Sequence, residues 1–187
     1  MKKIALLLVA ALVLCAVAAA ETVEMPDYAL TLPEGFAAVS EAEMEGYREA
    51  SARDAGGRYE GEALMALRDG EAITVVEGST DYADTREAAE ALVAEYADYV
   101  AGFESVEPQY VEAGGREFAM VQVSLDGKVT SQYLLVKDGR LYTLTFTGVS
   151  EEETLATLES LTFAGEETPQ TSVAPSAVPE ASATPAA

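Results

Sequence analysis

The side chains that could do chemistry in this chain are almost all carboxylates. The 187 residues include 33 Asp and Glu against 11 Lys and Arg, with no histidine and one cysteine, Cys15. The chain therefore cannot form a Ser-His-Asp triad, a Cys-His dyad or a His-ligated zinc site. Proton transfer near neutral pH would fall to carboxylates, tyrosines or the lysines Lys128 and Lys137, and a carboxylate takes that role only when burial raises its pKa.

Glycoside hydrolysis and acid–base elimination are reactions that a pair of carboxylates can support. Neighbouring carboxylates arise by chance in so acidic a chain, and there is no Trp to stack on a sugar ring. The carboxylates whose place can be predicted lie at helix starts and on polar helix faces, namely Glu87, Glu90, Glu151 and Glu152. The sequence therefore permits a carboxylate-dependent extracellular hydrolase without indicating one, and it assigns no catalytic residue.

The segment STDYADTRE gathers Asp81, Asp84 and Glu87 around a predicted helix start. Carboxylate oxygens suit Ca²⁺, but the spacing differs from that of an EF-hand loop. Capping of the helix by Asp84 explains the same residues without an ion. We therefore predict no metal site and no cofactor.

The glycine pairs and the tyrosines also have ordinary explanations. Gly56-Gly57 is not followed by Lys-Ser/Thr and Gly114-Gly115 leads into a strand, so both pairs are predicted to be turns rather than phosphate loops. Three tyrosines, Tyr47, Tyr59 and Tyr110, could lie at a recognition surface, although half-buried packing accounts for each of them.

Three Asp-Gly pairs predict the hairpins that position these side chains. A type I′ turn needs positive φ at both central residues, which Gly adopts freely and Asp tolerates. The turn at Asp138-Gly139 pairs Leu141 with Val136, Tyr142 with Leu135, Leu144 with Tyr133, and Phe146 with Ser131. The other turns, Asp126-Gly127 and Asp69-Gly70, join Phe118–Leu125 to a strand beginning at Val129, and Glu62–Arg68 to Ala72–Val76.

Paired residues share a face, so this register divides the side chains between two sides of the sheet. The core face holds Tyr133, Leu135, Tyr142, Leu144 and Phe146, with Phe118 and Met120 from the preceding strand. The Thr-bearing face holds Thr130, Gln132, Thr143, Thr145 and Thr147, together with Ala119, Val121, Val123, Leu134, Val136 and Leu141. Apolar residues on both sides predict a sheet that is covered on both faces.

Capping sequences predict where three helices begin. SEAE at Ser40 and SEEE at Ser150 are capping boxes, and DTRE at Asp84 is an Asp-capped variant. The predicted helices are Glu41–Asp54, Asp84 to about Phe103, and Glu151–Ser160. The apolar anchors of the first helix are Met44 and Tyr47, and those of the last are Leu155 and Leu158. The anchors of the middle helix are Ala88, Ala89, Leu92, Tyr96, Tyr99 and Phe103. Strands at Tyr28–Leu32 and Gln109–Ala113 complete the predicted elements.

The first twenty residues, MKKIALLLVAALVLCAVAAA, are typical of a bacterial secretory signal peptide. Two lysines form the positive start, an apolar stretch follows, and Ala18 to Ala20 offer small residues for cleavage after Ala20. Two alternatives stay open. One is an uncleaved membrane anchor, since about seventeen apolar residues approach the length of a span. The other is a lipoprotein attached at Cys15, which the preceding Leu14 disfavours.

The charge of the chain limits the partners that it can bind, and its composition indicates where the domain ends. Cleavage leaves nine basic against 33 acidic residues, a net charge of −24, and no cysteine. Strong acidity disfavours nucleic acid and anionic lipid surfaces, and without disulfides stability depends on a packed core. We predict a leader at 1–20, one α+β domain at 21–164, and a disordered tail at 165–187 that is rich in Pro, Ala, Ser and Thr.

Three stretches of this domain carry a family resemblance: YALTLPEGF from Tyr28, YLLVKDGRLYTLTFTGVSEEE from Tyr133, and LESLTF ending at Phe163. They resemble the PsbP-like superfamily, which includes the Ran-binding Mog proteins and small bacterial extracytoplasmic proteins. The resemblance covers about Tyr28 to Phe163, and Phe36 stands where the family commonly has Trp. It implies a mainly antiparallel sheet with helices packed on both faces, an α/β/α sandwich of the α+β class.

The resemblance implies no catalytic residues. Photosynthetic members assist the water-oxidising complex, and some bind metal ions with His and carboxylates, but this chain has no His. Ran binding belongs to nuclear members and does not suit a secreted protein. We predict a non-catalytic binding or assembly module for an extracytoplasmic protein or a small ligand, without stable membrane association after cleavage. The Thr-bearing face and the loops beyond the helices are the surfaces expected to bind.

Overall fold

A computed structural model describes residues 20–46, 63–99, 107–125 and 128–166. In chain order the elements are β1 (Glu21–Glu24), β2 (Tyr28–Leu32), β3 (Ala37–Ala38), β4 (Ala63–Arg68), β5 (Glu71–Ser79), α1 (Thr85–Tyr99), β6 (Gln109–Ala113), β7 (Arg116–Leu125), β8 (Lys128–Lys137), β9 (Arg140–Thr147), α2 (Glu151–Ser160) and β10 (Thr162–Phe163). Residues 41–46 form a further helical stretch after β3.

The strands form two antiparallel sheets, so the protein belongs to the α+β class as predicted. The main sheet has the strand order β3-β4-β5-β9-β8-β7-β6, and the small sheet has the order β1-β2-β10. Most neighbours in the main sheet are also neighbours in sequence. The exception is β5 with β9, where Ala72 lies opposite Thr147 and Ser79 lies opposite Arg140. This pairing joins the early hairpin to the later meander in one sheet.

The Asp-Gly hairpins have the predicted turn conformation and register. Asp69 and Asp138 have φ of 38° and 51°, and the glycines that follow them have φ of 87° and 74°. All four predicted pairs of the last hairpin are confirmed, from Val136 opposite Leu141 to Ser131 opposite Phe146. The Asp126-Gly127 turn lies outside the described residues, but Leu125 and Lys128 on either side of it are partners.

Both faces of the main sheet are covered. On the core face, Leu30 of β2, Leu158 of α2 and Phe163 of β10 join one buried cluster with the core-face residues of the main sheet. On the Thr-bearing face, α1 contacts β7 and β8 and packs Ala88 and Ala89 into a second cluster. The predicted sandwich of one sheet between helices is not confirmed in that form, because a second sheet lies beside α2 over the core face.

The predicted helix starts agree with the structure. The α2 helix spans the predicted residues, and Glu153 N donates to the Ser150 side chain at its start. At the start of α1, Asp84 Oδ1 accepts hydrogen bonds from Arg86 N and Glu87 N, each 2.9 Å long. The described part of α1 ends at Tyr99, so the predicted continuation to residue 103 is outside it.

The first predicted helix is described only in part. Residues 41–46 are helical, and the predicted anchor Met44 is buried at 4% exposure. The rest of the prediction, from residue 47 to residue 54, lies outside the described residues, as do Tyr59 and the Gly56-Gly57 pair.

The predicted turn at Gly114-Gly115 is confirmed between β6 and β7. Both glycines have positive φ, 56° and 74°. A Cβ on Gly114 would lie 2.9 Å from the backbone oxygen of Glu159, near the end of α2. Because only glycine avoids that clash, the pair lets α2 end directly against the β6–β7 turn.

The termini are described only where they meet the domain. The first described residue is Ala20, so the predicted cleavage at Ala18 to Ala20 stays a prediction. At the other end, Glu166 forms ion pairs with Lys137, at 2.9 Å, and with Arg116, so the beginning of the predicted tail contacts the domain. Within the described ranges no helix has both the length and the apolar character needed to cross a bilayer.

Candidate functional site

Among the described residues, the cover over the core face does not extend along the whole sheet. On β7 the face runs from the fully buried Phe118 through the half-buried Met120 to the exposed Gln122. On β8 it runs from the buried Tyr133 to Val129, which is 50% exposed. A pocket of about 510 Å³ occupies this region, which we call the open end of the core face.

Strands form the floor of the pocket, and the first turns of α2 form a wall. The described lining residues are Gln109, Val111, Met120, Gln122, Val129, Ser131, Tyr133, Phe146, Gly148, Val149, Glu151, Thr154 and Leu155. The rings of Tyr133 and Phe146 meet edge to face, with centroids 5.6 Å apart. A volume of this size is typical of sites for small organic ligands, which occupy roughly 300–1,000 Å³, and the lining combines polar and apolar side chains.

Polar side chains at core-face positions explain why the open end is not sealed. Gln109, Gln122 and Ser131 lie on the same face as Phe118 and Tyr133, and Gln122 Nε2 donates to Ser131 Oγ at 3.1 Å across β7 and β8. An apolar cover over these groups would cost the free energy of removing them from water. The alternation that predicted the core face already contained this signal, but the prediction named the Thr-bearing face and the loops beyond the helices as the surfaces expected to bind.

The charge at the pocket is negative. Among the described residues that line it, Glu151 alone is charged. Burial raises the pKa of the Tyr133 hydroxyl, and the negative charge of Glu151 raises it further. The carboxylate therefore acts electrostatically on the aromatic wall, and Tyr133 stays protonated at neutral pH.

An arginine on β4 fixes the start of α2, and with it the wall of the pocket. Arg68 Nη1 and Nη2 donate to the two carboxylate oxygens of Glu153 at 2.7 and 3.0 Å, and Arg68 Nε donates to Glu71 at 2.5 Å. The guanidinium also lies 4.3 Å from the ring centre of Phe36. Hydrogen bonds from Arg68 and Ser150 hold the pKa of Glu153 at about 2. Two parallel hydrogen bonds between a planar guanidinium and a carboxylate fix both the distance and the relative orientation of the two side chains.

A second groove, of about 450 Å³, lies where α2 meets the end of β2, and it is the place where carboxylates gather. Glu34, Glu152 and Glu153 are among its lining residues. A general acid needs a carboxyl that is protonated near the working pH. Glu153 has a lowered pKa because of Arg68, so it does not suit that role.

The opposite end of the core face, near the last hairpin turn, contains a buried carboxylate. Glu77 on β5 is 1% exposed, and Arg140 Nη2 donates to its Oε1 at 2.8 Å, while Arg140 Nη1 lies 3.5 Å from Asp27. We call this region the closed end. Glu77 was not among the carboxylates whose place the sequence predicted. The signal was visible, because Glu77 alternates with Ile73 and Val75 on the core face.

Two of the three carboxylates considered for calcium, Asp84 and Glu87, make capping contacts at the start of α1. Asp84 caps α1, and Glu87 Oε2 accepts a hydrogen bond from Ala83 N at 2.7 Å, so the capping explanation is confirmed. Asp81 is exposed. In the part of the chain that the structure describes, no group of three or more His, Cys, Asp and Glu side chains could hold a metal ion.

Of the three tyrosines singled out, Tyr110 is described. The Arg86 guanidinium lies 3.9 Å from its ring centre, and Tyr110 packs half-buried against the cluster under α1, which confirms ordinary packing. Lys137, one of the two lysines considered for proton transfer, forms an ion pair with Glu166. Its Nζ lies 2.9 Å from Glu166, and this hydrogen bond raises the pKa of Lys137. Phe163 lies beneath the same ammonium group at 5.3 Å.

Comparison with known proteins gives only a distant likeness. No protein-family model and no curated protein matches the chain. Two solved structures, each 11% identical, are similar to it. One is from Bacteroides thetaiotaomicron, with a TM-score of 0.45 over 76% of this chain and 47% of that one. The other is the cyanobacterial PsbP of Synechocystis sp. PCC 6803, with a TM-score of 0.44 over 80% of this chain and 95% of that one.

The chain thus spans about half the length of the Bacteroides protein. Likeness at this level does not define a family, and it carries no conclusion about function. The α+β class and the two antiparallel sheets follow from the strand pairing of this chain.

Proposed function

We propose that this chain is a secreted, non-catalytic binding module of PsbP-like fold that holds a small organic ligand at the open end of the core face. The pocket of about 510 Å³ carries the proposal. Among the described residues of a face that is buried elsewhere, it leaves Val129 50% exposed and Met120 half-buried. Contact between such surface and water is unfavourable, and a ligand that fills the pocket would remove it.

The chemistry of the pocket supports binding more than catalysis. Its lining mixes polar and apolar side chains, with Glu151 at the margin and a buried Tyr133 whose raised pKa suits neither an acid nor a base at neutral pH. Two carboxylates outside the pocket, Glu77 and Glu153, are paired with Arg140 and Arg68. Pairing with a guanidinium favours the ionised form, which does not deliver a proton.

Export is the second part of the proposal, and the features of residues 1–20 support it. The strand β1 begins at Glu21, so cleavage after Ala20 would leave both described sheets intact. The large excess of acidic residues supports solubility outside the cell. The PsbP-like assignment rests on the YALTLPEGF opening, the closing meander and the LESLTF ending.

A pocket-filling substitution tests the binding site. Val129→Trp places a large side chain at the mouth, because Val129 lines the pocket and is 50% exposed. Leu67→Trp is the matched control, since Leu67 is an apolar strand residue of 41% exposure outside the pocket. In an NMR fragment screen of the ¹⁵N-labelled chain, we expect hits that shift Gln122 and Ser131. They should bind Val129→Trp at least about tenfold more weakly and Leu67→Trp unchanged.

Two results would contradict the proposal. If no fragment shifts the pocket resonances, or if Val129→Trp binds as well as the unsubstituted chain, the site is wrong. If the purified chain turns over glycoside, ester or peptide substrates, and Glu77→Gln abolishes this turnover with folding intact, the carboxylate-dependent hydrolase replaces the binding module.

A further inference from the structure

We propose that the small ligand of the open end is a short extended peptide, a segment of another protein. The peptide would pair antiparallel with the outer edge of β6 and direct alternate side chains toward the pocket. This inference rests on the proposed function, because it names the class of ligand for the same pocket.

The outer edge of β6 carries backbone groups that no strand in the described part of the chain pairs with. β6 is the last strand of the seven-stranded main sheet, and its partner there is β7. In an antiparallel ladder alternate residues direct both backbone groups to the partner, and the pair that flanks a two-residue turn is one of these. Ala113 and Arg116 are that pair. Counting back along β6, the N–H and C=O groups of Tyr110 and Glu112 therefore point away from β7, as a template for another extended chain.

The pocket begins at this edge. Gln109 and Val111, the β6 residues that alternate with Tyr110 and Glu112, are among the residues that line it. Residues opposite each other on paired strands share a face, so peptide side chains opposite Gln109 and Val111 would point toward the pocket. In this mode of recognition the backbone bonds give affinity and the pocket gives specificity. An added strand thus uses the edge and the pocket together.

The lining of the pocket suits a peptide, which combines amide groups with aliphatic side chains. Gln109, Gln122 and Ser131 offer uncharged donors and acceptors, of the kind that backbone N–H and C=O groups can bond. Val129 and Met120 add apolar surface, exposed and half-buried respectively. A wholly apolar ligand would cover the polar groups without bonding them, at a cost in free energy.

The charges beside the edge favour a basic peptide over a second copy of this chain. Glu107 and Glu112 are exposed at the edge, and Glu151 is the charged residue among the described residues that line the pocket. Opposite charges on paired strands are stabilising and like charges are destabilising. A basic residue opposite Glu112 would therefore strengthen pairing, whereas a second copy brings a large excess of acidic residues.

Peptides that differ in one backbone N–H test the pairing. The probe is the capped pentapeptide acetyl-Lys-Val-Thr-Val-Lys-amide, titrated into the ¹⁵N-labelled chain at pH 7 and low salt. In the proposed register its threonine lies opposite Tyr110 and its first lysine opposite Glu112, and both valines face the pocket. We expect shifts at Tyr110, Glu112 and Gln122.

An N-methyl group on the threonine nitrogen should weaken binding at least about fivefold, because it removes a hydrogen bond to β6. The matched control carries the N-methyl group on the second valine, whose N–H points away from β6, and should bind within about twofold of the unmodified peptide. The peptide with glutamates in place of both lysines should bind most weakly.

The corresponding change in the protein is Glu112→Pro. It removes the outward N–H of Glu112 and leaves the bonds between β6 and β7 in place, since edge strands accept proline. Glu112→Gln is the matched control, because it removes the same charge and keeps the N–H. Glu112→Pro should bind the unmodified peptide at least about fivefold more weakly than Glu112→Gln does. Unfolding midpoints of both variants check the fold, and the N-methylated peptides decide the question without any change to the protein.

Each contrary outcome has a distinct meaning. If the two N-methylated peptides bind equally well, backbone pairing is wrong, and the fragment titration with Val129→Trp still decides whether the pocket binds a small ligand. If no peptide shifts Tyr110 and Glu112, the inference fails in the same way. If these two residues shift with the concentration of the protein alone, a second copy occupies the edge and the proposed partner is wrong.

Discussion

The two ends of the core face treat polar side chains in opposite ways. At the closed end a carboxylate is buried together with its partner, Glu77 with Arg140, and the face is sealed. At the open end Gln122 and Ser131 bond to each other at the margin, and Val129 beside them is 50% exposed. A polar group that has a partner inside the core allows other side chains to cover the face. Polar groups that stay in contact with water leave the face uncovered, with room for a ligand. Stability and binding are therefore expected to depend on different ends of one face.

Two residues on β7 test that division with the largest expected effect. Phe118→Ala should lower the free energy of unfolding by about 3–5 kcal/mol, because Phe118 is fully buried in the shared core. Met120→Ala, two residues along on the same face, should cost about 1–2 kcal/mol, since its half-buried side chain already borders the pocket. Denaturant unfolding measures both. Equal losses would show that the open end is as tightly packed as the closed end.

The closed end itself is tested at its buried ion pair. Arg140→Met should destabilise the fold by about 3 kcal/mol, because it leaves the Glu77 carboxylate buried without the guanidinium. The double variant Glu77→Leu with Arg140→Met should recover most of that loss, since an apolar pair avoids burying a charge. Thermal or denaturant unfolding compares the three chains. A loss below about 1 kcal/mol in Arg140→Met would mean that this pair does not hold the closed end.

The smallest expected effect concerns the arginine that holds the wall of the open end. The folded pKa of Glu153 is about 2, below its ordinary 4.5. The stability from its pair with Arg68 is therefore complete above about pH 4.5 and is lost as the pH falls toward 2. We expect roughly 1 kcal/mol, because the two side chains are 22% and 31% exposed and solvent screens them.

Glu153→Gln should accordingly be less stable than the unsubstituted chain at pH 7 and equally stable near pH 2, as followed by denaturant unfolding across that range. Glu152→Gln, at the exposed neighbouring residue, serves as the control and should show no such convergence. A constant difference between Glu153→Gln and the parent chain at all pH values would assign the effect to packing instead of charge.

Features with a local cause were predictable from the sequence. The Asp-Gly turns fix their own φ values, so the register of the last hairpin followed correctly from Asp138-Gly139. The start of α2 followed from the capping box at Ser150. The small sheet did not follow, because β10 contains two residues and pairs Phe163 with Tyr28 across almost the whole domain. Two residues carry too little alternation to be recognised as a strand.

Only part of the site could be predicted from the sequence, because the rest again depends on contacts between residues that are far apart in the chain. Glu77, Gln122 and Ser131 each interrupt the apolar alternation of the core face, so their unusual positions could have been noticed. Whether each of these polar side chains is buried or exposed depends on residues that are distant in the sequence. Arg140 reaches Glu77 through the β5–β9 pairing, and the cover of the core face depends on where α2 lies. Neither follows from local patterns.

The pairing of β5 with β9 also sets the order in which a newly made chain can acquire this structure. About 60 residues separate Ser79 from Arg140, which is roughly 3–12 s of synthesis at 5–20 residues per second. During that interval the β4–β5 hairpin has one edge whose hydrogen-bond partners do not yet exist, and such an edge can pair with another chain. The growing chain already has an excess of acidic residues over that interval, and repulsion between such chains opposes that association. The acidity that supports solubility of the finished protein would then also protect it while it is still being made.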